Sequence, residues 1–247
     1  MVSGQSGAIG QPINFSWTDL IFFLIFAAIL ILIQSHKKFS GLIFKIFLIL
    51  VVFSGAQIFF EIFLSSLMAI SLALIAAILF VFLKNIFVHD LAIIIGLAGV
   101  GAILGLSITP QIGLIALVAL SFYDIIAVYK TKHMVTMAKN MIESGAVFGF
   151  IIPFDFRGFF SGKGEVKDRI GEKFMILGSG DIGLPLIFAS SLVPVSIVSA
   201  AIVGIFSILG LFVTHLIFIN QKQRAPMAAL PPIATFAIIG YLVSILL

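Results

Sequence analysis

The sequence predicts an all-α, polytopic membrane protein of about eight transmembrane helices, and three observations predict it. Hydrophobic residues make up 62% of the 247-residue chain. Only 10% of residues are charged, against roughly 25% in a soluble domain. The apolar residues come in long, nearly uncharged runs from Trp17 to the C-terminus, many of them near the roughly 20 residues that cross a bilayer. One water-soluble core cannot hide that much apolar surface, so lipid is the solvent for most of the chain. A transmembrane β-barrel would show short alternating segments instead, and none are present.

Reading apolar runs against breakers places the spans near 17–34, 41–60, 62–83, 86–107, 112–129, 178–198, 200–219 and 228–247. Residues 1–15 are polar, glycine-rich and uncharged, so no cleavable signal peptide is expected there. The second and third spans are separated by little more than Glu61, which requires a tight turn. Pro110, between Thr109 and Gln111, breaks the fourth from the fifth. The connection over 130–177 is much the longest, and connections of that length are usually functional or disordered. Its 161–173 portion is charged and reads as solvated. Its 145–156 portion, GAVFGFIIPFDF, is apolar but too short to span, and reads as an interfacial segment or a short strand. The organisation expected is a bundle over 1–130, a loop over 131–176 and C-terminal helices over 177–247.

The basic residues orient the chain. Lys37, Lys38 and Lys45 flank the first connection and Lys84 the third. The fifth holds Lys130, Lys132, Lys139, Arg157, Lys163, Lys167, Arg169 and Lys173, and the seventh Lys222 and Arg224. All lie on one side, and positive loops stay cytoplasmic. Both termini should therefore face outward. Membrane orientation also accounts for the net charge of +4, so no nucleic-acid partner is expected. The absence of cysteine excludes thiol nucleophiles, disulfides and cysteine-ligated metals. His36, His89, His133 and His215 show no metal-ligand spacing, and no cofactor is expected.

Acidic residues carry the chemistry. Asp19 opens the first helix, where the dipole favours it. Glu61, and Asp90 with His89, read as boundary residues within reach of water or headgroups. Asp124 and Asp181 differ. Asp124, in SFYDIIAVYK, lies about 9 Å inside Lys130 by helical rise. Asp181, in FMILGSGDIGLPLIF, has apolar residues on both sides. A carboxylate at membrane depth is costly and marks a functional site by default, although a single one also serves as a structural hydrogen-bond partner. Here two lie at comparable depth on spans flanking one loop. Two carboxyls sharing a desolvated site cannot both ionise, so one proton is held between them. The protonated member can polarise a carbonyl while the other takes a proton from water, which is general acid–base hydrolysis. Gly178 and Gly180, before Asp181, suggest an irregular start to that helix, with packing of small residues as the plainer reading. Gly96, Gly101 and Gly105 read as packing positions. In APMAALPPIATF, Pro231 and Pro232 should prevent a regular helix start and leave Ala228 to Leu230 without helical partners. Backbone of that kind is tolerated in a membrane only beside a cavity or another polar group.

Together these residues resemble the presenilin and signal-peptide-peptidase superfamily of intramembrane aspartyl proteases, closest to its archaeal presenilin homologues. Tyr123-Asp124 matches the family's Tyr-Asp motif, Gly178 to Asp181 its Gly-x-Gly-Asp motif, and Ala228-Ala229-Leu230 with Pro231 its Pro-Ala-Leu motif. The likeness covers about residues 110–247. Ala228 stands where the family has proline. The resemblance implies a presenilin-like bundle and catalytic Asp124 and Asp181. It places Tyr123, Gly178, Gly180, Ala229, Leu230 and Pro231 about the substrate. It implies a substrate that is itself a transmembrane helix, in the bilayer of a prokaryotic plasma membrane. The family has nine spans and a cytoplasmic N-terminus. Both differences vanish if its first helix is missing here, and the orientation is then that of presenilins. The rival readings are a prepilin-type peptidase, an inactive relative that binds membrane helices, and, from another class, a proton-coupled transporter, channel or leak using the same aspartates.

Overall fold

The computed structural model describes residues 37–131, 142, 147–166, 169, 171–221 and 226–246. The expected first span, 17–34, lies outside them. The next four expected spans appear as α1 (Lys37–Glu61), α2 (Ser66–Phe82), α3 (Ile86–Leu106) and α4 (Pro110–Ile125), the last continued by a π-helical turn over Ile126–Lys130. Then follow β1 (Gly149–Pro153), a 3-10 turn (Phe156–Phe160), the single-turn α5 (Lys163–Val166) and β2 (Phe174–Gly178). The chain ends in α6 (Ser179–Leu192), α7 (Ile197–Ile219) and α8 (Leu230–Leu246). Among the described residues, Ile86–Leu106, Pro110–Lys130 and Ile197–Ile219 are long and apolar enough to cross a membrane. Ser66–Phe82 and Leu230–Leu246 are shorter apolar helices. The fold is an all-α polytopic membrane bundle.

Local chemistry sets the helix ends. Thr109 caps α4 by accepting the Ile112 N–H on its side chain at 3.5 Å, and Pro110 occupies the first helical position, where its missing N–H costs nothing. Asn85 caps α3 by accepting from Phe87. The sixth span differs from expectation. Its helix stops at Leu192 rather than near 198, and α7 starts at Ile197 with Ser196 as its cap. Pro194, passed over in the hydropathy reading, explains the break, because it has no N–H to continue the ladder and its ring crowds the preceding turn. The prolines of the last span also behave differently from expectation. They do not prevent a helix start, but lie within the first turn of α8.

Glycine lets α3 approach two neighbours. A Cβ on Gly55 of α1 would collide with the Gly96 carbonyl, and one on Gly99 with Gly55. Further along α3, a Cβ at Gly101 would meet the Leu186 side chain at 2.7 Å and one at Gly105 the Ile187 carbonyl at 2.6 Å. Gly96, Gly101 and Gly105 thus pack α3 between α1 and α6, as small residues do where membrane helices meet.

The apolar loop segment forms the short strand that was one of its two expected readings, over Gly149–Pro153. β1 pairs antiparallel with β2, with Gly149 opposite Gly178, Ile151 opposite Ile176 and Pro153 opposite Phe174. Alternation sends Phe150, Met175 and Leu177 into a core with Val52, Phe80, Ile93, Phe218 and Ala229. The opposite face sends Ile151 and Phe174 into a second cluster with Ile86 and Val166. The described residues of the charged 161–173 portion are mostly exposed, but Val166 is buried and Lys163 half-buried. β2 runs directly into α6, across the expected 176/177 boundary.

Candidate active site

Asp124 lies in the last regular turn of α4 and is only 4% exposed. Its Oδ2 accepts a hydrogen bond from the Leu230 N–H at 3.2 Å. That N–H opens α8, so the backbone expected to be free at Leu230 is partnered by the carboxyl itself. The π-turn follows at once, with the Thr131 N–H reaching the Ile126 carbonyl five residues back at 3.0 Å. Turns of this kind insert one residue into a helix and often mark functional sites.

Asp181 is half-buried in the first turn of α6. Its carboxyl folds back on the Gly178 backbone, the position an acid takes when it caps its own helix. A Cβ on Gly178 would stand 3.1 Å from Asp181 Oδ2, so glycine keeps that carboxyl uncrowded. Gly180 faces open space, with nothing within 4 Å of a Cβ built there. The two acids lie close enough for the charge of Asp124 to act on Asp181. Two helix N-termini, those of α6 and α8, therefore converge on the carboxyl pair.

The structure gathers some of the other candidate residues and leaves others aside. Leu230 touches Asp124, while Ala229 is buried against the sheet through Phe150, Met175 and Leu177. Pro231 is partly buried in the first turn of α8. Tyr123, although adjacent to Asp124 in sequence, is 52% exposed and does not join the pair.

A second polar cluster was misplaced by the sequence reading. His89 and Asp90 are 2% and 8% exposed, so they are not boundary residues facing water or headgroups. Asp90 Oδ1 accepts from the Ile151 N–H at 3.0 Å, and His89 Nε2 meets the Gly149 carbonyl at 3.1 Å. His89 stacks on Phe80, with Lys163 Nζ 4.4 Å from the centre of the Phe80 ring. The one available signal was indirect: a buried strand must partner the backbone groups on its outer edge.

The sequence pattern of the family described as signal-peptide peptidase, presenilin aspartyl protease matches residues 6–247. The chain belongs to that family. The family likeness thus extends well before residue 110. Among solved structures, a presenilin family intramembrane aspartate protease in space group C222 aligns with 91% of this chain and 82% of its own, at 24% identity and a TM-score of 0.56. Another such structure, in space group P2, aligns with 92% of this chain and 81% of its own, at 26% identity and a TM-score of 0.58. No match was found among curated proteins. This presenilin-family chain is an integral membrane protein and an aspartic intramembrane protease, and its substrates are membrane proteins.

Proposed function

We propose that Asp124 and Asp181 are the catalytic dyad, and that they hydrolyse peptide bonds within transmembrane helices by activating water. The observation that carries this reading is the placement of two carboxyls at helix N-termini, Asp124 on the Leu230 N–H that opens α8 and Asp181 in the first turn of α6, near enough for their charges to interact. One carboxyl takes a proton from water as it attacks the scissile carbonyl, and the other gives a proton to the developing oxyanion. Proton transfer to the leaving nitrogen then completes the cleavage. The two groups titrate as a pair, and no covalent intermediate is required.

A helix shields its own peptide bonds in its hydrogen-bond ladder, so the substrate must unwind before it is cut. An extended substrate can then add as a strand. Ladder alternation leaves two outer edges. That of β1 is occupied by Asp90 and His89 at Ile151 and Gly149. That of β2 carries the backbone of Ile176, which has no partner among the described residues, and runs directly to Asp181. The reading therefore seats the substrate along β2 rather than along 147–154 or against the Leu230 N–H. Gly180 leaves room beside it.

In the proposed orientation, within a prokaryotic plasma membrane, the loop between α4 and β2 is cytoplasmic and the C-terminus outside. The chain has no cysteine, so a cysteine placed at Ser161 gives a clean labelling test. An impermeant thiol reagent should modify it only when the cytoplasmic face is open.

Cleavage is tested with a single-span substrate in liposomes, with products identified by mass spectrometry. The wild type should cut within the span, and Asp124→Asn and Asp181→Asn should each lose at least about 100-fold in rate. A variant that still cuts removes its aspartate from the dyad. Ion or proton flux lost in both variants, without any wild-type hydrolysis, would favour a transporter instead.

A further inference from the structure

The polar cluster at the start of α3 serves no step of the chemistry, yet it is built with more buried polar contact than a helix end requires. Asp90 and His89 are adjacent, and both reach the same edge of the same strand. Ile151 and Gly149 are two residues apart, so their backbone groups point the same way, out of the ladder. One contact uses the strand's N–H as donor and the other its carbonyl as acceptor. A carbonyl partner requires the proton of His89 to be on Nε2, and its buried Nδ1 has no partner among the described residues. The pair thus imitates a neighbouring strand, and it fixes register, because a slip by one residue would present the wrong groups.

The backbone connects this clamp to the dyad. The Ser179 N–H, at the head of α6, bonds the Phe148 carbonyl at 3.3 Å. β1 also holds β2 through the ladder, and β2 continues into α6 two residues before Asp181. Around the clamp, the loop is tied to the α2–α3 connection by Ile86 N–H to the Ser161 carbonyl at 3.2 Å and Lys163 N–H to the Lys84 carbonyl at 2.8 Å.

We propose that Asp90 and His89 are positioning residues of this protease. They close the outer edge of β1 and lock its register, so that β2 is the docking edge and the scissile bond is set against the dyad. This rests on the assignment of Asp124 and Asp181 above.

The test compares Asp90→Ala with Asp90→Asn, and His89→Leu with His89→Gln, in reconstituted full-length protein with the same single-span substrate. Asparagine and glutamine keep the acceptor and the donor. Asp90→Ala should lower kcat/KM by about 10- to 100-fold, the scale expected of a misplacement near 1 Å. Its cuts should spread over neighbouring bonds, and exchange at the Ile151 amide should accelerate. Asp90→Asn should restore the wild-type cut positions and most of the rate. His89→Gln should likewise outperform His89→Leu, and that pair carries the test if Asp90→Ala does not fold. A role confined to stability would reduce folded protein without moving the cuts.

Wild-type rate and cut positions in Asp90→Ala or His89→Leu would overturn the proposal, as would an Asp90→Asn as impaired as Asp90→Ala. If Asp124→Asn or Asp181→Asn still cleaves, the dyad assignment fails whatever happens at Asp90. If both are silent while the Asp90 and His89 variants match wild type, only the positioning role fails.

Discussion

Two carboxylates in this molecule receive a backbone N–H from far along the chain, and their surroundings make them opposites. Asp90 takes the Ile151 N–H and Asp124 the Leu230 N–H, at 3.0 and 3.2 Å. Both are buried. Asp90 lies buried against the edge of β1, next to a His89 that stacks on Phe80. Asp124 faces a second carboxyl, itself half-exposed, beside the open space at Gly180. Burial of an acid therefore does not by itself distinguish scaffold from reactive site. On the proposed assignment, the presence of a second acid beside Asp124 makes the difference.

Deleting the donor in each case tests the difference between the two acids most strongly. Ile151→Pro and Leu230→Pro each remove one N–H at a place where proline fits, a strand edge and a helix first turn. Leu230→Pro should lower kcat by about 10-fold, the scale of one hydrogen bond to a charged group, with cut positions unchanged. Ile151→Pro should instead scatter the cuts. Product mass spectra beside rate measurements separate the two; identical patterns would erase the distinction.

A smaller effect is expected from the glycines. Gly178→Ala places a Cβ 3.1 Å from Asp181 Oδ2 and should lower kcat by a few-fold, on the order of 1 kcal/mol for a small side-chain displacement. Gly180→Ala meets nothing within 4 Å among the described residues and should leave folding unchanged, raising KM only if substrate passes there. Equal kcat values for Gly178→Ala and wild type would show that the Asp181 carboxyl is not crowded.

The smallest effect concerns Lys163, which lies by the scaffold acid. Burial pushes its ammonium down to about 8, against the pull of Asp90. Between there and the ordinary lysine value of 10.5, the unfolded chain holds a proton that the folded chain has released. Stability should thus rise with pH through that window, while below it the full cost of burying the ammonium remains. Thermal unfolding in detergent at pH 8 and pH 10 should show the wild type gaining on Lys163→Met. Parallel curves would mean that Lys163 is not desolvated.

Hydropathy and breakers made the helical layout legible, because a span announces itself within its own 20 or so residues. Asp124 and Asp181 were legible as candidates for the same reason: each interrupts an apolar run, and the fold brings them together. What escaped were pairings across long separations. Asp90 and His89 looked like boundary residues because their partners, Ile151 and Gly149, are 61 and 60 residues away. The GAVFGFIIPFDF segment was ambiguous until β2 supplied its other half. Tyr123 was placed about the substrate by the family's Tyr-Asp motif; successive helical side chains point about 100° apart, and its ring is exposed while Asp124 is buried. The early stop of α6 was legible at Pro194 and was outweighed by the apolar residues around it.

The two prolines at the head of α8 have one more consequence. A helix start normally brings four unclaimed N–H groups with it, and inside lipid each competes for whatever acceptor is near. Pro231 and Pro232 have none to offer. The acids thus meet a helix end largely cleared of rival donors, where the Leu230 N–H singles out one oxygen of Asp124. Scarcity of donors at this helix end, rather than abundance, is what would leave the other oxygen of Asp124 to water and a passing peptide bond on the proposed assignment.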